Sequence, residues 1–567
     1  MAGALFRTEN SDDGAARPAM RLKYLFVFLF SLLLGASGLA GLPPIDRDEA
    51  RFVQATKQMA ETGDYVDIRL QQESRYKKPI GIYWLQSAAV ALSGQGPAAP
   101  IWVYRLVSML GIALAALATT WTGTKLFGGN AGLAAGLVVA AIFATAFEGR
   151  VAKTDAALLA CCVAAQGALA QVYVAARRGQ ASPPWLPWLF WAAQGAGILI
   201  KGPLAPLLSA LTVAVLFAFE RDGRWLKRLK AGRGVLLAAL IVLPWLALIT
   251  WKSGGAFWQE AVGKDMLGKV ADGQESHGQP PGFYVLTYSL FLWPFGLAAL
   301  GAGLQALNRL REDAALRFCL AWYIPFWLLF EIIPTKLPHY VLPAYPALAL
   351  LVGWLAALEP DDAEAPLKPW QVWLRRATAF GHVLVTLGLA AASIGLPLYL
   401  MGRFDPWSVP AAAAMLAAGW LAFPRGLQMP LPRIGAAAAA AGIAFALLFG
   451  TIASHLTPIW LSPRIVQAMR DNAPCDTSVL ASVGYSEPSL VFLAGTKTLL
   501  TGRLDAAAQH LLSDPACAFA SVPLDREAQL NDLLAKAGRQ AKRLAEIDGI
   551  NYSSGKRLAL GLYRLAD

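Results

Sequence analysis

The sequence predicts a polytopic α-helical membrane protein with a small α/β domain at its C-terminal end. Of its 567 residues, 56% are hydrophobic and 15% are charged, whereas a soluble domain carries about a quarter charged residues. Many apolar runs reach the roughly 20 residues that a membrane-spanning helix needs. After about Thr457 the long apolar runs stop and shorter, mixed segments begin.

About thirteen spans are predicted from the apolar runs. They lie near 24–42, 101–126, 130–147, 155–176, 184–200, 202–219, 234–252, 284–305, 316–332, 338–357, 377–400, 408–423 and 434–454. The segment 80–96 is also apolar, but it is short and is broken by Ser and Gly. We expect it to lie along the membrane surface or to dip partway in.

Loop charge fixes the predicted orientation, because cytoplasmic loops carry an excess of Lys and Arg. The basic loops are 177–178, 221–233, 308–317, 375–376 and 425–433. These loops all lie on the same side of the membrane only if the segment 80–96 does not cross it. This arrangement predicts a cytoplasmic tail over 1–23, a membrane domain over 24–456 and a periplasmic α/β domain over 457–567. The net charge of +12 then faces anionic lipid, and no nucleic-acid partner is expected.

The first predicted periplasmic loop, 43–100, is unusually rich in charge. Asp46 and Glu49 have the spacing of a capping box, which predicts a helix from about Asp48 to Glu61 that ends at Gly63. Carboxylates are followed by a cationic cluster at 75–78, beside a membrane surface. This combination suits a site that holds an anionic lipid headgroup and transfers a group from it. Helix capping with simple headgroup contact is the alternative.

The predicted topology brings polar residues from distant segments to the same side. They include Asp48, Glu49, Arg51, Lys77, Lys78, Asp155, Lys201, Lys336, His339 and Tyr340. The long loop 253–283, which contains His277, lies there too and is either a lid or binding loop or a plain connector. A charge at the end of one span can snorkel to water, but that explanation does not account for so many charges on one side.

Transfer from a polyprenyl-phosphate sugar needs cations for the phosphate, a carboxylate near the anomeric carbon and a groove for the lipid. The cation and hydrogen-bond candidates are Lys77, Lys78, Lys201, Lys336, His339 and Tyr340, and the carboxylate candidates are Asp48 and Asp155. The His residues are isolated, so no zinc motif is present.

The C-terminal domain is predicted to mix strands with helices. Strands are expected at 478–483, 497–500, 516–522 and 557–565, and helices at 489–494, 504–512 and 525–537. Cys475 and Cys517 could pair if this domain is outside the cytoplasm. The domain has no phosphate-binding or metal-binding motif, and the sequence does not indicate its role.

Several short motifs together resemble those of the GT-C membrane glycosyltransferases, in the superfamily of aminoarabinose (lipid A) transferases and protein O-mannosyltransferases. The motifs are Asp48-Glu49-Ala50-Arg51-Phe52, Tyr76-Lys77-Lys78-Pro79-Ile80, Asp155 opening a span, Lys201-Gly202, and Lys336-Leu337-Pro338-His339-Tyr340. Their order over residues 20–350 is most similar to the bacterial aminoarabinose branch.

The resemblance implies an inverting transfer from an undecaprenyl-phosphate sugar on the periplasmic face of a bacterial inner membrane. It assigns Asp48 as the catalytic or orienting carboxylate and Asp155 as a second acidic site residue. It assigns Lys78 and Tyr340 to the lipid phosphate, and Lys201 matches a lysine of the family pattern. Lys77 and Lys336 join them as phosphate candidates because of their charge and their side of the membrane. Lid or acceptor contacts would fall to Glu49, Arg51, His277 and His339. The acceptor would be lipid A or another envelope glycan.

One position departs from the family pattern. Many relatives have Glu before the Lys-Pro pair, where this chain has Lys77. That Glu can help bind a divalent metal, so the resemblance leaves metal binding open here. The extra cation would instead favour a more anionic sugar or acceptor.

Two other functions compete with this interpretation. A protein O-mannosyltransferase would share the same motifs, because the acceptor contacts are not encoded in them. A non-enzymatic lipid or sugar transporter should show internal repeats and charges near the middle of its spans. The charges here gather at one face and no repeat is evident, which favours the enzyme.

Overall fold

A computed structural model describes residues 13–268, 278–359 and 366–566. Helices dominate as far as residue 455, and a single mixed sheet follows. In chain order the first ten helices are α1 Asp13–Ala36, α2 Asp48–Thr62, α3 Gly81–Ser93, α4 Ile101–Phe127, α5 Gly129–Ala141, α6 Phe143–Glu148, α7 Thr154–Arg177, α8 Leu186–Lys201, α9 Leu204–Glu220 and α10 Ala231–Ser253. Later helices of the membrane part are Phe283–Phe291, Gly296–Asn308, Ala314–Ile332, Tyr345–Ala356, Pro369–Met401, Ser408–Ala422 and Leu431–Leu447.

Among the described residues, 8 helices are long and apolar enough to cross a membrane, so the chain is a multi-pass membrane protein. The count rises to 9 if the pair Phe283–Phe291 and Gly296–Asn308, bent by 116°, forms one broken span. Three shorter apolar helices are α5, α9 and Ser408–Ala422. Every predicted span has a helical counterpart, but 130–147 and 284–305 are each two helices rather than one.

Segment 80–96 forms α3, which has 13 residues. A helix of that length is about 20 Å long at 1.5 Å per residue, well short of the roughly 30 Å hydrocarbon core. Helix length is therefore consistent with the prediction that this segment does not cross the membrane.

The first loop contains α2 and a short β1–β2 hairpin, Arg69–Leu70 with Glu73–Ser74. Gly63 ends α2 in the left-handed region at φ 72°, as predicted. The predicted capping box is wrong, because the residue that caps α2 is Arg47 and its side chain makes no cap hydrogen bond. The side chains of Asp46 and Glu49 are engaged in tertiary contacts instead, with Ser489 and Arg105.

Two glycines allow the close helix packing that brings the candidate residues together. A Cβ on Gly111 of α4 would lie 2.7 Å from the carbonyl carbon of Ala156, next to Asp155. A Cβ on Gly81 would lie 2.7 Å from the carbonyl oxygen of Leu199 in α8. Because only glycine permits such approaches, the segment before α3 lies beside the end of α8 and the start of α7 packs tightly on α4.

The C-terminal domain is built on a five-stranded sheet with the order β4-β3-β5-β7-β6. The strands are β3 Val479–Val483, β4 Leu499–Thr501, β5 Ala518–Pro523, β6 Ala541–Asn551 and β7 Lys556–Leu565. Strands β3, β4 and β5 are parallel, and β7 pairs antiparallel with β5 and β6. Helices Leu461–Asp471, Pro488–Ala494, Leu504–Ser513 and Glu527–Ala535 accompany the sheet.

All four predicted strands and three predicted helices of this domain are present. The sequence analysis missed β6 and the helix Leu461–Asp471. Strand β6 is polar and lies at the edge of the sheet, mostly away from the core, so it lacks the apolar signal of a buried strand. Cys475 and Cys517 form a disulfide, with their Cα atoms 5.6 Å apart.

Candidate active site

Five ionisable side chains meet where α6 ends and α7 begins. Lys201 Nζ donates to Asp155 Oδ1 at 2.5 Å, and Lys153 Nζ lies 3.9 Å from Asp155 Oδ2. Lys153 also pairs with Glu148 at 3.0 Å, and the His339 ring lies within 4 Å of both carboxylates. Burial alone would lower the pKa of Lys153, but Glu148 and Asp155 raise it above its ordinary value. The cluster therefore keeps cations beside two buried carboxylates, Glu148 and Asp155.

This cluster forms one wall of a polar cavity of about 450 Å³. The cavity is lined by Arg47, Asp48, Arg51, Phe52, Arg75, Lys77, Lys78, Lys153, Thr154, Asp155, Lys201, Asp265, Thr335, Leu337, His339 and Tyr340. Seven of these are Lys or Arg and three are Asp. An excess of cations in a partly enclosed space favours anionic ligands, because fewer water molecules screen the charges there.

An apolar cavity of about 680 Å³ adjoins the polar cavity. The two share Lys77, Lys78, Lys201, Asp265, Thr335 and Tyr340 as lining residues. The rest of the second cavity is mainly hydrophobic and includes Leu199, Leu207, Val242, Trp245, Leu246 and Phe330. A charged chamber that is continuous with an apolar one fits an amphiphile whose anionic head and hydrocarbon tail lie end to end.

Lysines and one tyrosine stand at the junction of the two cavities. Lys78 Nζ pairs with Asp265 Oδ2 at 2.7 Å and donates to the Lys77 carbonyl at 2.9 Å. Lys201 Nζ lies 5.2 Å from the centre of the Tyr340 ring, which is cation–π range. Asp265 belongs to the long predicted loop, so this loop supplies part of the wall. Its residues 269–277 are outside the described residues, and the prediction for His277 falls there.

Asp48 lies in the first turn of α2 and its side chain is exposed to the polar cavity. Arg51, one turn further along α2, lines the same cavity. Asp155 is instead buried and held by lysines. Both predicted carboxylates line the polar cavity, Asp48 as an exposed side chain and Asp155 as a buried one paired with Lys201 and Lys153.

Two predicted residues do not reach the cavity. Glu49 is fully buried in a two-pronged ion pair with Arg105, whose Nε and Nη2 each lie 2.8 Å from a Glu49 oxygen. Lys336 is also buried, and its ammonium group donates to the carbonyls of Gln279 and Ile333. Neither lines the described cavities, so the acceptor contact expected of Glu49 and the phosphate contact expected of Lys336 have no geometric support.

Four charged residues of the polar cavity were not selected as site residues from the sequence. Arg47 and Arg75 flank motifs that were recognised, and Lys153 lies two residues before Asp155. Asp265 is one charge among several in a long loop, and its contact with Lys78 joins residues far apart in the chain. Two of them had a local signal in the sequence: Lys153 is a charge at the same end of the same span as Asp155, and Arg75 belongs to the cationic cluster 75–78.

The described donor groups do not fit a divalent cation. In residues 13–268, 278–359 and 366–566, no group of three His, Cys, Asp or Glu could hold a metal ion. The cavity carboxylates Asp155 and Asp265 are each paired with lysine, and Lys77 adds a third cation beside them. A metal would have to displace lysines from these carboxylates, so we derive no step through one.

Comparisons with known proteins give one consistent result. Residues 20–258 match the family described as dolichyl-phosphate-mannose-protein mannosyltransferase. The undecaprenyl phosphate-alpha-4-amino-4-deoxy-L-arabinose arabinosyl transferase of Pectobacterium carotovorum is 27% identical over 417 residues, which cover 71% of each chain.

Two solved structures share the fold. The crystal structure of ArnT from Cupriavidus metallidurans bound to undecaprenyl phosphate has a TM-score of 0.72 at 19% identity, covering 97% of this chain and 98% of that one. An oligosaccharyltransferase from Archaeoglobus fulgidus has a TM-score of 0.50 at 12% identity, covering 90% of this chain and 71% of that one. The family match over residues 20–258 and these relatives support membership of this chain in the GT-C superfamily of membrane glycosyltransferases.

Proposed function

We propose that this enzyme transfers a sugar from an undecaprenyl-phosphate donor to lipid A or another envelope glycan on the periplasmic face of the inner membrane. The observation that carries the proposal is the cationic cavity that continues into an apolar one. A polyprenyl-phosphate sugar has this shape and polarity, with its phosphate between a sugar and a hydrocarbon chain. The names of the aminoarabinose transferase relatives support the same donor class.

The donor phosphate would sit at the junction of the two cavities. Lys78, Lys201 and Tyr340 line both, and Lys77 stands beside them. Negative charge grows on the phosphate as its bond to the anomeric carbon breaks, so fixed cations there lower the barrier. A lysine offers a point charge that tolerates a moving leaving group better than the rigid arginine fork does.

The sugar would project into the polar cavity toward Asp48. In an inverting transfer, an acceptor oxygen forms its bond to the anomeric carbon while the bond to the phosphate breaks on the opposite face. Asp48 would take the proton of an acceptor hydroxyl, or would orient the acceptor if that oxygen is already an ionised phosphate. Arg47, Arg51 and Arg75 line the Asp48 side of the cavity and would bind an anionic acceptor.

The proposed orientation rests on two observations. The basic loops are predicted from the sequence to lie on the side opposite the site, as cytoplasmic loops do. The Cys475–Cys517 disulfide is typical of an oxidising compartment such as the periplasm. Both support a cytoplasmic N-terminus and a periplasmic C-terminal domain.

Lys77 is expected to set a preference for an anionic sugar or acceptor. The Lys77→Glu variant replaces a cavity cation by an anion, and a hydrogen bond to a charged group contributes about 1.5–3 kcal/mol. Transfer that involves an anionic sugar or acceptor should therefore fall by about tenfold or more relative to transfer that involves a neutral one. Competition assays with paired donors or acceptors measure the ratio, and Lys77→Gln separates loss of charge from its reversal. An unchanged ratio in both variants would remove this role.

The overall function is tested by mass spectrometry of lipid A, core glycan and envelope proteins. Cells producing the wild-type protein are compared with cells producing Asp48→Asn. A sugar that is missing from one glycolipid in the variant would support the proposal and identify both sugar and acceptor. Loss of a hexose from proteins would instead support a protein O-mannosyltransferase. No difference in any fraction, with the variant present at normal levels, would contradict the role given to Asp48 and reopen the transporter interpretation.

A further inference from the structure

We propose that the C-terminal domain is a positioning element of the active site. The tip of its β6–β7 hairpin, Asn551–Gly555, holds Asp46 and Arg47 so that Asp48 faces the polar cavity. Tyr552 is the main positioning residue, and it acts through the backbone rather than on the substrate. The catalytic part of this inference rests on the proposed function, whereas the holding contact can be tested without it.

Three hydrogen bonds join the C-terminal domain to the residues just before Asp48. The Asp46 backbone N–H donates to the Tyr552 hydroxyl at 2.6 Å, and Arg47 Nη2 donates to the Ser553 carbonyl at 2.8 Å. The Ser489 backbone N–H donates to Asp46 Oδ1 at 3.1 Å. The hairpin therefore contacts the two residues that lead directly into α2.

The backbone between these contacts is strained. Arg47 has φ 66° and ψ −100°, a conformation that residues with a Cβ rarely adopt. Such a conformation persists only where the surroundings over-determine it, and strained residues of this kind cluster at functional sites. Arg47 is also the residue that caps α2, so its conformation sets the direction in which the first turn and Asp48 begin. Tyr552 and Ser553 contact Asp46 and Arg47, so their hydrogen bonds are made to the strained residue and its neighbour.

The same domain also supports the side of α2. Gln54 Nε2 donates to Thr496 Oγ1 at 2.8 Å, and Lys57 Nζ donates to the Phe492 carbonyl at 3.0 Å. The Phe492 ring is buried and packs edge-on against Tyr104 of α4, with ring centres 5.6 Å apart. Helix α2 is thus held at its beginning by the hairpin and along its length by the segment 492–496.

The groups proposed for the donor phosphate lie on other elements. Lys78 precedes α3, Lys201 ends α8 and Tyr340 lies in the turn Pro338–Ala344. Loosening the hairpin contact should therefore misplace Asp48 without displacing the phosphate cations. This separation predicts a change in kcat with little change in the donor KM.

The test uses the full-length Tyr552→Phe variant in lipid nanodiscs. The substitution removes the acceptor for the Asp46 N–H while keeping the ring that packs on Trp460. Amide hydrogen exchange in the peptide 43–52 should become at least about tenfold faster, because the amide loses its partner and the strained turn is released. With a polyprenyl-phosphate sugar donor, kcat should fall by about tenfold to a hundredfold while the donor KM changes less than about twofold.

Tyr563→Phe is the matched control, since Tyr563 is buried in β7 of the same domain and pairs with Ala520 rather than with the first loop. It should leave both exchange at 43–52 and kcat unchanged. Unchanged exchange in Tyr552→Phe would overturn the holding contact, and faster exchange with unchanged kcat would overturn its role in positioning. If the wild type transfers sugar from no donor, the proposed function fails, and the exchange data alone decide whether the hairpin holds the loop.

Asp46→Asn provides a second test that does not depend on breaking the contact. Burial raises the pKa of Asp46 to about 6; the hydrogen bond with Ser489 opposes the rise and Glu487 adds to it. The other titratable groups facing this carboxyl are Tyr485 and Tyr552, and Arg47 is its charged neighbour in the chain.

The sign of the pH effect follows from the raised pKa. A raised carboxyl pKa means that docking is strongest when Asp46 is protonated, and that docking weakens as pH rises from the undocked pKa near 4 to about 6. Protection of 43–52 in the wild type should therefore fall by at least about tenfold over this range and then level off. Asp46→Asn should lack this fall and be more protected than wild type at pH 7. A wild-type protection factor that is constant from pH 4 to pH 7 would contradict the role of this carboxyl.

Discussion

Asp48→Asn is expected to lower kcat for sugar transfer by about 10²–10⁴-fold if Asp48 takes the proton of an acceptor hydroxyl. Asparagine keeps the size of the side chain and one acceptor oxygen, but it removes the charge and replaces the other oxygen by an NH2 donor. Asp48 is exposed to the polar cavity, so the folded structure should tolerate the change. Initial rates with a purified polyprenyl-phosphate sugar and thermal unfolding of the same samples measure the two effects separately.

Glu73→Gln is the matched control for this experiment. Glu73 is an exposed carboxylate of the same loop, in strand β2, and it is not among the residues that line the described cavities. Its variant should transfer sugar at the wild-type rate. If Asp48→Asn retained more than about a tenth of the wild-type kcat, general-base catalysis would be ruled out. The remaining role would be orientation of an acceptor that is already ionised.

Glu49→Gln is expected to have its main effect on stability, although residue 49 is the immediate neighbour of Asp48. Glu49 and Arg105 form a fully buried ion pair, and Glu49 also accepts hydrogen bonds from the backbone N–H groups of Ile45 and Ala152. Removing one partner of a buried pair costs about 3–5 kcal/mol, because the other charge is left buried without compensation. The free energy of unfolding should fall by that amount.

Thermal unfolding in detergent, with Glu73→Gln again as the control, tests this prediction. A large decrease in the unfolding temperature is expected for Glu49→Gln, together with low yields of folded protein. Arg105 also donates to the carbonyls of Leu39, Leu42 and Pro43, so the pair ties the end of the first span to α2 and α4. A variant with a normal unfolding temperature but weakened acceptor binding would show instead that Glu49 is an acceptor contact.

The membrane helices were predictable because span formation depends on a local property. A run of about 20 apolar residues is enough to favour a helix across the hydrocarbon core, whatever the rest of the chain does. The end of α2 at Gly63 and the parallel strands β3 and β5 were also visible locally, from a glycine and from short apolar runs. The bends that divide 130–147 and 284–305 could not be predicted from the sequence, because apolar composition does not indicate the direction in which a helix runs.

The candidate site was likewise predictable from the sequence only in part. The sequence marked Asp48, Lys78, Asp155, Lys201 and Tyr340 as charged or polar residues on one side of the membrane part. It also placed Glu49 at the site and did not indicate that Glu49 is buried, since Asp48 and Glu49 both lie in the first turn of one helix and differ in what packs against them. The partners that decide their roles, Arg105 for Glu49 and the open cavity for Asp48, are brought there by helix packing.

The sequence by itself therefore determined the membrane class, most of the helices and the side of the membrane part on which the charges gather. Only the tertiary structure decided which charges line a cavity, which lie in buried ion pairs, and that the C-terminal hairpin contacts the first loop. The physical reason is the distance along the chain over which each interaction acts. Hydrophobic length and turn residues act within a few neighbours, whereas the Tyr552–Asp46 and Lys78–Asp265 contacts join residues 506 and 187 positions apart. Those contacts exist only after the helices and the domain have packed.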